Sequence, residues 1–366
     1  MTNLSAAKYL SNRKSFFFMF IGLSAFILYL YFFAGFKQIL TVLKGVNPEQ
    51  YAFFYCLAIG AMLLGNFFWL VSWRTVLNTL SVKISLKNAF LYFWTGYFVD
   101  LVVPCETVCG EVTRLYLVHK ETNEKYGSIA AAGVTNRIVA YIIVVTGLYA
   151  SAWLLLRRPN IPATVLSVLI FILIGATVYL AILLYLALSE QSAERITKLG
   201  LRILNILQPN KNRSRDLSPE TKESLAAFYT GFKAFREKPS RLVRPFIYLT
   251  IAWLFSLSQY ILVFFALGIT TQSLSFFIIV YFVAGSLTDV AGGFSVGTID
   301  ILLATIFVLY GLNAALSGIT AALVRSVTFW SPLVIGYIIF QVVGAKKLLA
   351  PVPKKTGGVA GNEKLS

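Results

Sequence analysis

The fold class predicted is an all-α polytopic membrane protein, with about six transmembrane helices plus two re-entrant half-helix pairs in an inverted repeat. Three observations lead there. The 366 residues are 58% hydrophobic and only 13% charged, with a mean hydropathy of +0.75, and several apolar runs exceed the ~18 residues that a span needs. The basic residues gather in particular loops, as the cytoplasmic flanks of spans do. Two apolar segments, 97–137 and 281–325, are interrupted by proline or glycine and carry charges. Broken hydrophobic segments at matching places in two halves are the usual pointer to a transporter's binding site.

Taken in order, Lys8, Arg13 and Lys14 precede the apolar run Ser15–Phe36, read as the first span. It is too long for a signal peptide and lacks a small-residue cleavage site. Residues 37–50 form a short loop with Gly45 and Asn47-Pro48, and Tyr51–Trp73 is the second span. Arg74, Lys83 and Lys87 mark a basic loop. Asn88–Val103 is apolar but stops at Pro104, which removes a backbone donor and clashes with the preceding turn. Cys109–Val118 is a second short piece, so the two form a hairpin that enters and leaves on one side. After the polar stretch His119–Lys125 come two full spans, Tyr126–Leu156 and Pro162–Ser189. Residues 190–244 hold twelve basic residues, with an interfacial helix around Ile196, Leu199, Ile203 and Ile206 and another short helix at Thr221–Arg236. Pro245–Leu267 is a span. Ser273–Val290 and Thr298–Tyr310 flank AGGFSVG as the second interrupted pair, and Ser317–Val343 is the last span.

This gives three regions: a cytoplasmic N-terminal segment, 1–15; a membrane domain, 16–345, with its basic cytoplasmic stretch 190–244; and a disordered basic tail, 346–366. The net charge of +17 does not imply nucleic acid as a partner, because the basic residues flank spans. It favours anionic lipid headgroups. With both termini in the cytoplasm, the loops 74–87 and 119–125, the stretch 190–244 and the C-terminal lysines all lie inside. Lys37, Lys44, Arg157 and Arg158 fall outside, as does the uncharged turn 268–275. This requires that neither interrupted pair crosses, so that one opens from the cytoplasm and the other from outside. The location implied is the cell membrane.

The two interrupted stretches align. Tyr92-Phe93, Asp100, Gly110, Glu111 and Arg137 match Tyr281-Phe282, Asp289, Gly297, Asp300 and Arg325; glycine and arginine are 27 positions apart in one and 28 in the other. Glu111 and Arg114, three apart, share a helix face. Charges inside hydrocarbon cost ~2.5–3.5 kcal/mol each on insertion scales, so these groups either pair or line a wet cavity. Arginine grips phosphate in a two-pronged geometry. Half-helix starts at Gly110 and Gly297 offer backbone N–H groups to anions. The candidate substrate-binding residues are therefore Asp100, Gly110, Glu111, Arg114, Arg137, Asp289, Gly297, Asp300 and Arg325. Each has a plainer reading. Glu111–Arg114 is also a structural pair, Arg137 and Arg325 also suit snorkelling, and Asp100 and Asp289 also suit capping.

No catalytic residues, metal site or cofactor is predicted. His119 is the only histidine, there is no P-loop sequence, and Cys105 and Cys109 are read as buried thiols. The expectation is not an enzyme but a transporter acting on membrane lipids. The alternative is a non-transporting scaffold that holds a lipid-modifying or glycosyl-transferring partner through the basic stretch.

Pro104, Gly110-Glu111, Arg114, Arg137, the Gly292-Gly293-x-x-x-Gly297 stretch and Arg325 resemble the lysylphosphatidylglycerol synthase transmembrane family, over roughly residues 10–345. This is the flippase-like region that also occurs fused to a soluble aminoacyl-transferase domain in the multiple peptide resistance factor proteins. The sequence departs from the pattern in three places. Asn136 stands where an acid usually precedes the arginine, Asp300 is the nearest match to the late glutamate, and Pro104 to Gly110 is slightly stretched. The resemblance implies translocation of a charged or phosphorylated lipid between leaflets: a phospholipid, an aminoacylated phospholipid or a polyisoprenyl-phosphate carrier. It does not imply lysyl transfer.

Overall fold

The computed structural model describes residues 44–103, 108–157, 163–188, 219–291 and 295–347, with residues 24, 28, 31 and 41 singly before them. The expected first span, the breaks at Pro104 and Gly292-Gly293, the interfacial helix near Ile196 and the C-terminal tail lie outside these residues. The described residues form helices and turns without strands.

Asn47 starts α1 (Pro48–Thr79) by accepting hydrogen bonds from the backbone N–H groups of Glu49 and Gln50, with Pro48 at the first position, a standard helix start. The helix runs past the boundary expected at Trp73. Arg74 does not open a loop; its Nε donates to the Ile84 carbonyl at 3.0 Å, so the charge is used within the turn. Ser85 caps α2 (Leu86–Val102), and α3 (Val108–Thr122) follows. α3 also outruns expectation, continuing through His119. α4 (Tyr126–Leu156) and α5 (Ala163–Leu188) are long and apolar, and α5 exposes Phe171, Ile174, Val178 and Ile182 on its outer face. α6 (Pro219–Glu237) leads through a short 3₁₀ turn, Pro239–Leu242, into α7 (Val243–Ala266). α8 (Leu274–Ala291) and α9 (Ser295–Leu309) form the second pair. α10 (Ala314–Arg325), capped by Asn313, continues through a π-helical turn, Ser326–Trp330, into α11 (Ser331–Lys347). Four helical stretches among the described residues are long and apolar enough to cross a membrane: Pro48–Thr79, Tyr126–Leu156, Pro239–Ala266 and Ala314–Val343.

α1 and α7 form the central pair and run antiparallel. Gln50 donates to the Phe265 carbonyl, Gly65 faces Ala252, and Ser72 donates to the Pro245 carbonyl. The α2–α3 hairpin stands at the end where α1 finishes. Its two feet are tied together by Asn88 donating to Glu121 at 2.7 Å and by the Tyr92–Glu121 hydrogen bond. The α8–α9 hairpin stands at the opposite end. Phe276 meets Phe307 and Tyr310 across its feet, and Phe264 near the close of α7 packs on both Phe276 and Phe307. The hairpins therefore enter the bundle from opposite ends. α11 lies antiparallel to α2, with Gly336 and Phe340 against Phe98.

α6 straps the outside of α4. Tyr229, Phe232 and Phe235 are buried while Lys233 and Arg236 are exposed, the division an amphipathic helix requires. Its backbone comes so close to Gly127 that a Cβ there would collide with the Ser224 carbonyl. Lys125 and Glu223 pair at 2.8 Å on the surface, and the Lys125 ammonium holds the Glu223 carboxyl below its ordinary range. Cys109 is disulfide-bonded, not the buried thiol expected.

Candidate functional site

Where the two hairpins meet, a cavity of about 370 Å³ opens. It is lined by Asp100 from α2, Glu111 and Arg114 from α3, Arg137 from α4, and Arg325 at the end of α10. Five of the residues singled out in the sequence thus converge on one space, though they are up to 225 positions apart. Arg137 and Arg325 do not snorkel outward; both turn into the cavity.

Arg114 is the hub of the first half. Its guanidinium donates to Glu111 at 2.6 Å and to Asp100 at 3.2 Å, and it lies 5.1 Å from the Phe93 ring centroid, within cation–π range. Asp100 also accepts the Gly110 backbone N–H at 2.7 Å. The capping and pairing readings of these acids are therefore both realised, in the same cluster that lines the cavity. Gly110 serves packing: a Cβ there would collide with the Asp100 carboxylate and the Gly96 carbonyl. Glu111 reaches across to Arg137 at 3.8 Å, an ion pair beyond hydrogen-bonding distance.

The second half repeats this chemistry. The Gly297 N–H donates to Asp300 at 2.8 Å, and Asp300 pairs with Arg325 at 3.5 Å. Both side chains are buried, each 4% exposed, with Arg325 set 4.5 Å from the Phe329 ring centroid. Asp300 stands behind Arg325 and not on the cavity wall. Val296 and Gly297 leave the helical conformation, Gly297 at φ +81°, so the regular part of α9 starts at Thr298. The π-helical turn after Arg325 admits one extra residue per turn, and Thr328 and Phe329 join Arg325 on the wall. The half-helix amides expected to bind an external anion at Gly110 and Gly297 are taken by the protein's own carboxylates. The Asp289 side chain lies outside the described residues.

The remaining wall was not singled out in the sequence. Trp69, Tyr97, Tyr141, Tyr260 and Tyr281 supply aromatic faces, and Asn66, Gln259 and Ser286 supply polar groups. Asn66 and Gln259 are polar residues inside otherwise apolar spans, a signal that could have flagged them. Asn136 faces away from the site. It accepts from Ser72 at 2.6 Å where α1, α4 and α7 meet, so the departure from an acid at this position does not alter the cavity wall. No group of His, Cys, Asp and Glu suited to a metal occurs among the described residues.

A family model described as the lysylphosphatidylglycerol synthase TM region matches residues 19–336. A UPF0104 membrane protein of Methanothermobacter thermautotrophicus is 25% identical over 190 residues, covering 50% of this chain and 51% of that protein. The match thus spans about half the length of this curated relative.

Proposed function

This chain belongs to the lysylphosphatidylglycerol synthase TM region family, and from that membership together with the charged cavity we propose that it moves a charged or phosphorylated lipid between membrane leaflets. The observation that carries this reading is the cavity itself: arginines and carboxylates of both hairpins gathered in one space bounded by apolar and aromatic walls. A site of this kind suits a headgroup, with acyl or isoprenoid chains left among the surrounding helices. Arg137 and Arg325 hold the headgroup phosphate. Arg114, tied to two acids, orients Glu111. Asp100 and Asp300 keep Arg114 and Arg325 in place and close off the amides of Gly110 and Gly297.

In this reading the two hairpins are re-entrant and the molecule is an inverted repeat. Three features support it. The hairpin feet lie at opposite ends. α1 and α7, which precede equivalent hairpins, run antiparallel, as inversion demands. The ion pairs Glu111–Arg137 and Asp300–Arg325 fall at positions that align in the two halves. One end of the bundle carries Lys83, Lys87, Lys120, Lys125 and the α6 strap, while Lys44 and Arg157 belong to the other. The basic end is then cytoplasmic.

The test is a leaflet assay in proteoliposomes with labelled phospholipids, aminoacylated phospholipids and polyisoprenyl phosphates. Transfer above empty vesicles is expected for at least one class, with a loss of tenfold or more in Arg137→Ala. No transfer of any class by monodisperse protein would refute the proposal. Function lost only on removing 189–218 would favour a scaffold.

A further inference from the structure

Gln259 lies well inside the apolar span Pro239–Ala266. It is only 6% exposed, and the surface it keeps is on the cavity wall. Among the described residues its carboxamide has no hydrogen-bond partner. The carboxamides of α1 behave differently. Gln50 donates to the Phe265 carbonyl, and Asn66, also on the wall, donates to the Met62 carbonyl, both at 2.9 Å. The fold therefore satisfies those two groups from its own backbone and leaves Gln259 open to the cavity, with both its N–H donors and its carbonyl oxygen unused.

A buried polar group without a partner is costly, and native folds leave few of them. Water can serve Gln259 while the cavity is empty. A cargo that enters displaces that water and loses affinity unless it reproduces the same hydrogen bonds. A carboxamide asks for an acceptor and a donor together. A phosphate oxygen answers only its N–H, and an ammonium answers only its carbonyl. A hydroxyl answers both. The place also fits. Tyr260, the next residue on α7, shares the wall with Arg325 and lies within electrostatic reach of it. A hydroxyl at Gln259 would thus belong to the same headgroup whose phosphate Arg325 holds.

We infer, building on the translocation reading above, that Gln259 is a specificity-determining residue that hydrogen-bonds a free hydroxyl of the cargo's headgroup. The cargo class is then a phosphodiester of a polyol, such as glycerol or inositol, in preference to a phosphodiester of an alcohol with no further hydroxyl. The two kinds of lipid carry the same charge, so the preference is independent of the ionised groups around the cavity.

The experiment is competition binding to the full chain in detergent, read by native mass spectrometry. The probes are phosphatidylglycerol, phosphatidylinositol and phosphatidylpropanol with identical acyl chains; the last has the same phosphodiester charge as the others and no headgroup hydroxyl. The unmodified protein is expected to retain each polyol lipid about tenfold or more over phosphatidylpropanol, since a site built to hydrogen-bond a hydroxyl discriminates against the analogue that lacks it. Gln259→Met keeps the length of the side chain and removes both hydrogen-bonding ends, and should bring that ratio close to one. Its thermal unfolding should match or exceed that of the unmodified protein, because no hydrogen bond to a described residue is lost. Equal retention of the polyol lipids and phosphatidylpropanol by the unmodified protein would overturn the inference, as would an unchanged ratio in Gln259→Met or a clear drop in its stability, which would make the residue structural. If Gln259→Met is not monodisperse, the ratio for the unmodified protein still decides. Hydroxyl-selective binding without leaflet transfer would uphold the inference and overturn translocation; transfer without hydroxyl selectivity would do the reverse.

Discussion

Asp300 accepts the Gly297 N–H and pairs with Arg325 in a site almost closed to solvent. Removing one member of such a pair strands the other, at about 3–5 kcal/mol. Arg325→Ala should therefore lower stability by that amount. Arg325→Met with Asp300→Leu should recover much of the loss, because two apolar groups leave no charge behind. Unfolding in detergent, arranged as a double-mutant cycle, measures the coupling; a double variant as unstable as the sum of the singles would contradict it. Gly297 makes a separate contribution. At φ +81° a side chain is strained, so Gly297→Ala should cost about 1–2 kcal/mol and loosen the start of α9, with unfolding again the readout. These acids and arginines were legible in the sequence because charge inside an apolar run always demands an explanation. Tyr97 and Tyr260 were not. A chain with this many aromatic residues presents most of them to lipid, and spacing alone does not separate a ring on the cavity wall from one in the bilayer.

At the scale of elements, α6 is held to α4 by shape more than by charge. The exposed Lys125–Glu223 pair keeps the Glu223 carboxyl below its ordinary range. A lowered acid contributes above its unfolded value and loses that contribution as pH falls through the folded one, so the pair acts at neutral pH and fades only in acid. Because both groups face solvent, salt screens it. Lys125→Met should return the Glu223 titration to the ordinary carboxylate range, seen by carboxyl NMR, without releasing α6. Gly127→Ala should release it, because the new methyl meets the Ser224 carbonyl; faster tryptic cleavage at Lys233 and Arg236 would report this, and unchanged cleavage would contradict it. The hairpins were readable in advance because Pro104 and the glycines interrupt apolar runs. The ends of α1 and α3 were misplaced because a charge marks a loop only when nothing nearby answers it. Arg74 finds the Ile84 carbonyl, and the close of α3 is held by Thr122 donating to the Val118 carbonyl and Glu121 bound to Asn88 and Tyr92.

At the scale of the whole molecule, charge counting predicts an inverted pair of hairpins, and the contacts that tie the feet of α2–α3 near the close of α1 and those of α8–α9 near the close of α7 are the arrangement on which that proposal rests. Loop charges predict sidedness because lysines and arginines mark the cytoplasmic flanks of spans. They could not report depth, which depends on helix packing. The most direct measurement is therefore the sidedness of the four hairpin feet. Single cysteines at Lys83 and Glu124, and at Thr271 and Ala314, all exposed, would be placed in a Cys56→Ser background and labelled in sealed vesicles with an impermeant reagent. The first two should react from one face of the membrane and the second two only from the other. Labelling of the two feet of either hairpin from opposite faces would mean that the hairpin crosses, and the shared cavity between opposed hairpins would no longer follow.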